Sequence, residues 1–87
     1  MSDKISLKTK AVAAGIRSKR EYRNYTQEYL AFKLTISQNA YSKIELGYTK
    51  ITLERLFQIA EILEFDVIEL IKPAQQELIK ALPNGTN

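Results

Sequence analysis

Residues 26–47 read TQEYLAFKLTISQNAYSKIELG, and this stretch decides the fold. It is typical of two short helices joined by a tight turn, over about residues 26–34 and 37–46. Ser37 is placed to cap the second helix, because its hydroxyl can accept from an early backbone N–H. Ala31 is small where the two helices come closest. The residues that such a pair must bury to hold a fixed crossing angle are Leu30, Ala31, Leu34, Ile36, Tyr41 and Ile44.

The second helix opens with polar side chains suited to the edges of DNA bases. Four of them share its outward face, at one- and four-residue steps: Gln38, Asn39, Ser42 and Lys43. Gln38 can pair with adenine through two hydrogen bonds, Asn39 can do the same or bind a phosphate, and Lys43 can donate to guanine or to the backbone. Ser42 is short enough to allow close approach. Without the rest of the motif this would be an ordinary polar helix face; with it, the layout predicts a DNA-binding helix-turn-helix.

Length and composition leave room for one globular domain. The chain has 87 residues, of which 45% are hydrophobic and 26% charged, which argues against disorder over most of its length. No run approaches a membrane span, and the N-terminus lacks the apolar core of a signal peptide. The absence of cysteine fits the cytosol. We expect a cytoplasmic, nucleoid-associated protein with no membrane contact.

The net charge of +3 conceals an asymmetry along the chain. Residues 1–50 carry ten Lys and Arg against four acids, a net charge of +6, whereas residues 51–87 carry three against six, a net charge of −3. The basic half holds the candidate recognition helix, so the asymmetry suits a protein that binds DNA on one face. Charge alone fits a solvated surface equally well.

The sequence on either side of residues 26–47 predicts more helices and no strand, so we expect an all-α fold. A first helix is predicted over about residues 9–23, and Asn24 is a suitable end for it because Asn tolerates positive φ. Thr52 is a credible N-cap for a strongly amphipathic fourth helix, and a short fifth helix follows from Asp66. The apolar stripe of the fourth helix comprises Leu53, Leu56, Phe57, Ala60 and Leu63, widened by Ile59 and Ile62.

The predicted five-helix domain spans residues 9–71, with additional segments at both ends of the chain. Residues 1–8 show no clear periodicity and are expected to form a flexible basic arm. Proline disfavours helical geometry in the residue before it, so Lys72-Pro73 is expected to end the fifth helix. Residues 72–82 then form an additional short C-terminal helix, a candidate dimerisation or partner element. Residues 83–87 are expected to be a disordered tail.

The segments YTQEYLA (Tyr25–Ala31) and ISQNAYSKIELG (Ile36–Gly47) resemble the motifs of the phage-repressor/Cro-like helix-turn-helix family, often called the XRE family. The resemblance runs from about Val12 to Ile71. It implies a transcriptional regulator, a repressor, that binds double-stranded DNA as a homodimer on a two-fold site. At the matching positions it implies base contacts from Gln38, Asn39, Ser42 and Lys43, and phosphate contacts from Ser37 and Gln27. Tyr48, Thr49 and Lys50 follow the recognition helix and are also expected to touch phosphates.

The resemblance also implies structural roles for several positions. Arg20 and Glu45 match positions that form an ion pair between the first helix and the end of the recognition helix. Tyr41 stands where the family usually has a branched aliphatic residue, so we expect it to pack in the core. Thr35 departs from the glycine that the family prefers in the turn. A left-handed backbone at this β-branched residue would cost about 1–2 kcal/mol.

Two other classes of function are alternatives to DNA binding. One is a protein-interaction module, such as an antitoxin that binds a toxin and regulates its own expression by binding DNA. Tyr29 and Phe32, at positions where the family often has polar groups, fit that alternative. The other is an enzyme, which we do not expect, because the chain has no His, no Cys, no glycine-rich phosphate loop and no metal-ligand cluster. No cofactor or small-molecule ligand is expected either.

Overall fold

Five α-helices form the part of the chain that the structure describes. The computed structural model describes the backbone of residues 3–81 and the side chains of residues 5–74. The helices are α1 (Asp3–Tyr22), α2 (Gln27–Leu34), α3 (Gln38–Glu45), α4 (Leu53–Leu63) and α5 (Val67–Ala81). Residues 3–81 contain no β-strand, and the predicted all-α fold is therefore confirmed.

Three helices begin at a residue whose hydroxyl caps the first turn. Thr26, Ser37 and Thr52 each have extended backbone geometry, and their side-chain oxygens accept from the backbone N–H three residues further on at 3.0 Å. Each such cap contributes about 1 kcal/mol to stability. These local contacts set the starts of α2, α3 and α4, and the caps at Ser37 and Thr52 confirm the predictions from the sequence.

The C-terminal ends of α1 to α4 share one feature: a residue with left-handed backbone geometry, followed by a residue whose N–H donates back to the last turn of the helix. At the end of α2, Ile36 N–H donates to Ala31 O at 3.0 Å and Thr35 N–H donates to Phe32 O at 3.1 Å. The residue with positive φ is Asn24, Thr35, Gly47 or Glu64 at the four ends, and only one of these is glycine. Thr35 has φ 59° and ψ 43°, so the turn keeps the left-handed geometry despite a β-branched side chain.

The core contains at least one fully buried side chain from every helix. These residues are Ile16, Leu30, Tyr41, Ile59, Leu63 and Leu70, each 0% exposed. The core predicted for residues 26–47 is confirmed, except that Ile36 is only partly buried and packs against the outside of the core. Tyr41 lies in the core, as expected. The first helix, the helix-turn-helix pair and the last two helices therefore share one hydrophobic centre.

Helix α4 buries a narrower face than its sequence predicts. Leu56, Ile59, Ala60 and Leu63 point into the core, but Leu53 is 67% exposed and Phe57 is 52% exposed. The buried stripe at i, i+3, i+4 and i+7 starts at Leu56, and the two exposed residues lie on the neighbouring part of the helix surface, outside that stripe. Apolar spacing alone did not show where that stripe ends.

Helix α1 begins at Asp3, earlier than predicted, and residues 3–8 are helical rather than a flexible arm. Ile5, Lys8 and Thr9 line a groove together with residues of the segment that connects α3 to α4. This packing supports the extra helical turns, whereas periodicity over so short a segment could not reveal them. Lys10 also contributes to the contact, because its Cγ lies 3.3 Å from where a Cβ on Gly47 would stand.

Helix α5 continues through Pro73 instead of ending before it, so the predicted separate C-terminal helix is part of α5. Pro73 packs against α1 at Gly15, where an added Cβ would lie 3.2 Å from Pro73 Cγ and 3.3 Å from Leu70 O. The missing side chain at Gly15 allows the backbones of α1 and α5 to approach closely. This packing offsets the hydrogen bond that proline removes from a helix. The predicted tail, residues 83–87, lies outside the described residues.

Candidate nucleic-acid interface

The outward face of α3 presents the polar side chains that the sequence assigned to base contacts. Gln38, Asn39 and Lys43 are exposed, and Ser42 is half-buried. Tyr41, Ile44 and Glu45 are buried on the opposite side of the same helix. Because α3 is anchored on one side only, its other side is free to approach a partner surface. Ser37, at its N-cap, is also exposed.

A buried network fixes α3 against α1 and α2. Arg20 of α1 donates to Glu45 through two nitrogens, with Nε 2.6 Å from Oε2 and Nη2 3.1 Å from Oε1. Gln27 Nε2 donates to Oε1 at 3.0 Å, and Tyr41 Oη donates to Oε2 at 2.5 Å. Arg20 Nη1 also donates to the carbonyl of Tyr25 at 2.9 Å. The ion pair that the resemblance implies is therefore present and forms the centre of a larger network.

The network shifts the pKa values of Glu45, Tyr41 and Arg20. Burial favours the neutral form of Glu45, but hydrogen bonds from Arg20, Tyr41 and Gln27 outweigh it and lower the pKa of this carboxyl. Burial, together with the hydrogen bond to Glu45, raises the pKa of Tyr41. The hydrogen bond to Glu45 raises the pKa of Arg20 although burial opposes it. Glu45 is therefore charged at neutral pH despite a side chain that is only 2% exposed.

Gln27 lies at the first residue of α2 and is half-buried. The family resemblance implies that its amide binds a phosphate, and in the structure that amide donates to Glu45. An amide carries two N–H donors, so one remains for a partner while the other holds the side chain in place. The same side chain thus links the α2 N-terminus to the end of α3.

The segment after α3 brings three more predicted contacts to the surface. Gly47 has φ 77° and turns the chain away from α3, and Tyr48, Thr49 and Lys50 that follow are all exposed. Two grooves flank this segment. One lies towards the first turns of α1 and includes Tyr48, and the other lies between α3 and α4.

The groove between α3 and α4, of about 480 Å³, brings together five of the nine predicted DNA contacts, namely Ser37, Asn39, Lys43, Thr49 and Lys50. Gln38, Ser42, Gln27 and Tyr48 are not among its lining residues. Arg55 of α4 also lines this groove, although it is not among the contacts predicted from the sequence. The sequence feature that could have pointed to Arg55 is its position in the first turn of α4, three residues after the Thr52 cap.

Comparison with known proteins agrees with this geometry. A family profile described as helix-turn-helix matches residues 16–70, which include α2, α3 and α4 completely. No curated protein matches the chain, and no solved structure does. Within residues 3–81, no helix has the length and apolar character needed to cross a membrane. The chain belongs to the Cro/C1-type (XRE) helix-turn-helix family of DNA-binding transcription regulators.

Proposed function

We propose that this protein binds double-stranded DNA in a sequence-specific manner, with α3 in the major groove, and that it acts as a transcriptional repressor in the cytoplasm, bound to the nucleoid. The observation that carries the proposal is the combination of exposed Gln38, Asn39 and Lys43 with the buried Glu45 network on the opposite face of α3. Base recognition needs amide or cationic side chains held in a defined orientation. A helix anchored by a buried carboxylate provides that orientation.

The phosphate contacts complete the proposed interface. Ser37 and Gln27 lie at the N-terminal ends of α3 and α2, where backbone N–H groups and the helix dipole favour an anion. Tyr48, Thr49 and Lys50 add donors from the segment that follows α3. Such contacts set the affinity and its salt dependence, whereas the base contacts of α3 set the sequence preference.

We further propose that the protein binds as a homodimer. Two copies related by a two-fold axis would place their α3 helices about 34 Å apart, one turn of the duplex. The exposed apolar side chains Leu53 and Phe57, which line a shared shallow groove on α4, support a contact between copies. Residues 72–82, the C-terminal element predicted from the sequence, are the other candidate for this surface. Sedimentation over a range of protein concentrations tests the dimer, because only an associating protein gains mass as its concentration rises.

Selection from a random duplex library near physiological salt tests the proposed DNA binding. We expect enrichment of a two-fold motif whose half-site spacing reports the dimer geometry. Gln38→Ala should then weaken binding by about 1–3 kcal/mol and relax the preference at one base position. Ser18→Ala, an exposed substitution on α1, is the matched control and should leave the motif unchanged. Failure of the wild-type protein to enrich any sequence would contradict sequence-specific recognition.

A protein partner is the second candidate function, and one observation supports it. Phe32 is 78% exposed on α2, and Tyr29 beside it is also exposed and packs against Tyr25 with ring centroids 4.6 Å apart. Large exposed aromatic side chains are enriched where proteins bind one another. Purification from the native host with and without Phe32→Ser tests this function. A protein that co-purifies only with the wild-type chain would establish a toxin-like or other partner.

A further inference from the structure

Arg55 lies on the α4 side of the groove that holds five of the predicted DNA contacts. The groove is bordered by α3, by the segment that follows it and by the first turn of α4. We propose that Arg55 binds a phosphate of the DNA backbone from this side. The inference rests on the proposed function, because it requires α3 to be the helix that enters DNA. It adds a contact from a helix outside the helix-turn-helix pair.

The charge of the groove points to an anion. Its charged lining residues are Lys43, Lys50 and Arg55, and no carboxylate is among the residues that line it. Three cations that share one groove repel each other, and a bound anion relieves that repulsion. The remaining polar lining comes from Ser37, Asn39, Thr49 and Thr52, whose hydroxyl and amide groups can donate to phosphate oxygens. A phosphodiester strand that runs beside α3 meets these requirements.

The hydrogen bonds of Arg55 leave part of its guanidinium available. Its Nη1 lies 3.2 Å from Gln58 Oε1 and 3.4 Å from the carbonyl oxygen of Leu34. Both contacts use the same nitrogen, so the N–H groups on Nη2 and Nε can turn towards a phosphate, which a guanidinium can bind through two hydrogen bonds. The side chain is half-buried and held at both α2 and α4. Ordering it on binding therefore costs less than ordering a free surface arginine.

The first turn of α4 strengthens the site. Thr52 caps this helix because its hydroxyl accepts from Arg55 N–H, and Thr52 is also among the residues that line the groove. The positive end of the α4 dipole thus lies beside the Arg55 side chain. Helix dipole and guanidinium act in the same direction on an anion placed between α4 and Lys50.

Binding to the selected duplex, measured by fluorescence anisotropy over a range of salt concentrations, tests the inference. Arg55→Gln removes the charge but keeps a polar side chain with N–H donors, and Arg55→Lys keeps the charge. For each half-site that the protein occupies, we expect Arg55→Gln to weaken binding about tenfold and to lower the salt slope by about 0.9. Arg55→Lys should retain the slope. Arg17→Gln, on an exposed arginine paired with Glu21 on α1, is the matched control and should change neither quantity.

Phosphate ethylation interference separates a contact from a structural effect. A contact predicts that one phosphate in each half-site, whose ethylation weakens wild-type binding, ceases to matter for Arg55→Gln, while the rest of the pattern is unchanged. A purely structural role would lower the midpoint of thermal unfolding and leave both the salt slope and the ethylation pattern intact, which would overturn the inference. Failure of the wild-type protein to bind any duplex is a different result and would refute the proposed function itself.

Discussion

Glu45 is a buried charge whose position depends on Arg20, and the substitution Arg20→Met tests that dependence. The Glu45 side chain is 2% exposed and that of Arg20 is 12% exposed, so solvent screens their interaction little. Removing the guanidinium leaves the carboxylate with two neutral donors, Gln27 and Tyr41. It also leaves the Tyr25 carbonyl without the hydrogen bond from Arg20.

The expected loss follows from breaking one side of a buried pair. Leaving an uncompensated buried charge costs about 3–5 kcal/mol. A domain of this length has a free energy of unfolding of roughly 4–13 kcal/mol, so Arg20→Met should remove a large part of it. Arg17→Met is the matched control, because Arg17 and Glu21 also form an ion pair, at 3.2 Å, but their side chains are 59% and 54% exposed. That control should cost less than about 1 kcal/mol.

A double-mutant cycle measured by urea unfolding at pH 7 isolates the pair. Arg20→Met, Glu45→Gln and the double variant are compared with the wild-type protein, with far-UV circular dichroism as the signal. Once Glu45 is neutral, loss of Arg20 should cost only about 1 kcal/mol, mainly for the Tyr25 carbonyl. The difference between the two losses gives an expected coupling energy of about 2–4 kcal/mol. A coupling energy below about 0.5 kcal/mol would refute the conclusion that this pair holds α3 to α1.

Three further predictions concern stability. The pKa of Glu45 is lowered in the folded state. The stabilisation by its charged form is therefore complete above the ordinary carboxyl pKa of about 4.3 and is lost as the pH falls through the lower folded-state value. Over that acidic range, urea unfolding of Glu45→Gln should show a weaker fall in the free energy of unfolding than that of the wild-type protein. Thr35→Gly removes the backbone strain of a β-branched residue held at φ 59° and should raise the free energy of unfolding by about 1 kcal/mol. If that free energy does not rise, the turn carries no strain. Gly15→Ala should lower the midpoint of thermal unfolding and cost about 1 kcal/mol or more of stability, because the new Cβ would lie 3.2–3.3 Å from Pro73 and the Leu70 carbonyl. A higher midpoint would mean that α5 can move away to make room for the methyl group.

The helix-turn-helix pair could be predicted because its determinants are local. Each N-cap hydroxyl accepts from a backbone N–H only three residues away, so the relevant partners are neighbours in the sequence. The alternation of buried Tyr41 and Ile44 with exposed Gln38 and Asn39 follows from the helical period. The same period, without knowledge of the neighbouring helices, could not show that Leu53 and Phe57 lie outside the core.

The sequence by itself determined the fold class, the helix that presents polar side chains, and the family, since these depend on periodicity, capping residues and local motifs. Only the tertiary structure decided which distant groups meet. Arg23 donates to the carbonyls of Leu63 and Glu64 at 2.8 and 2.9 Å, Gln27 donates to Glu45, and Arg55 donates to the carbonyl of Leu34 at 3.4 Å. Each of these contacts joins residues far apart in the chain. Their distances depend on how the helices pack, and no local pattern encodes that packing.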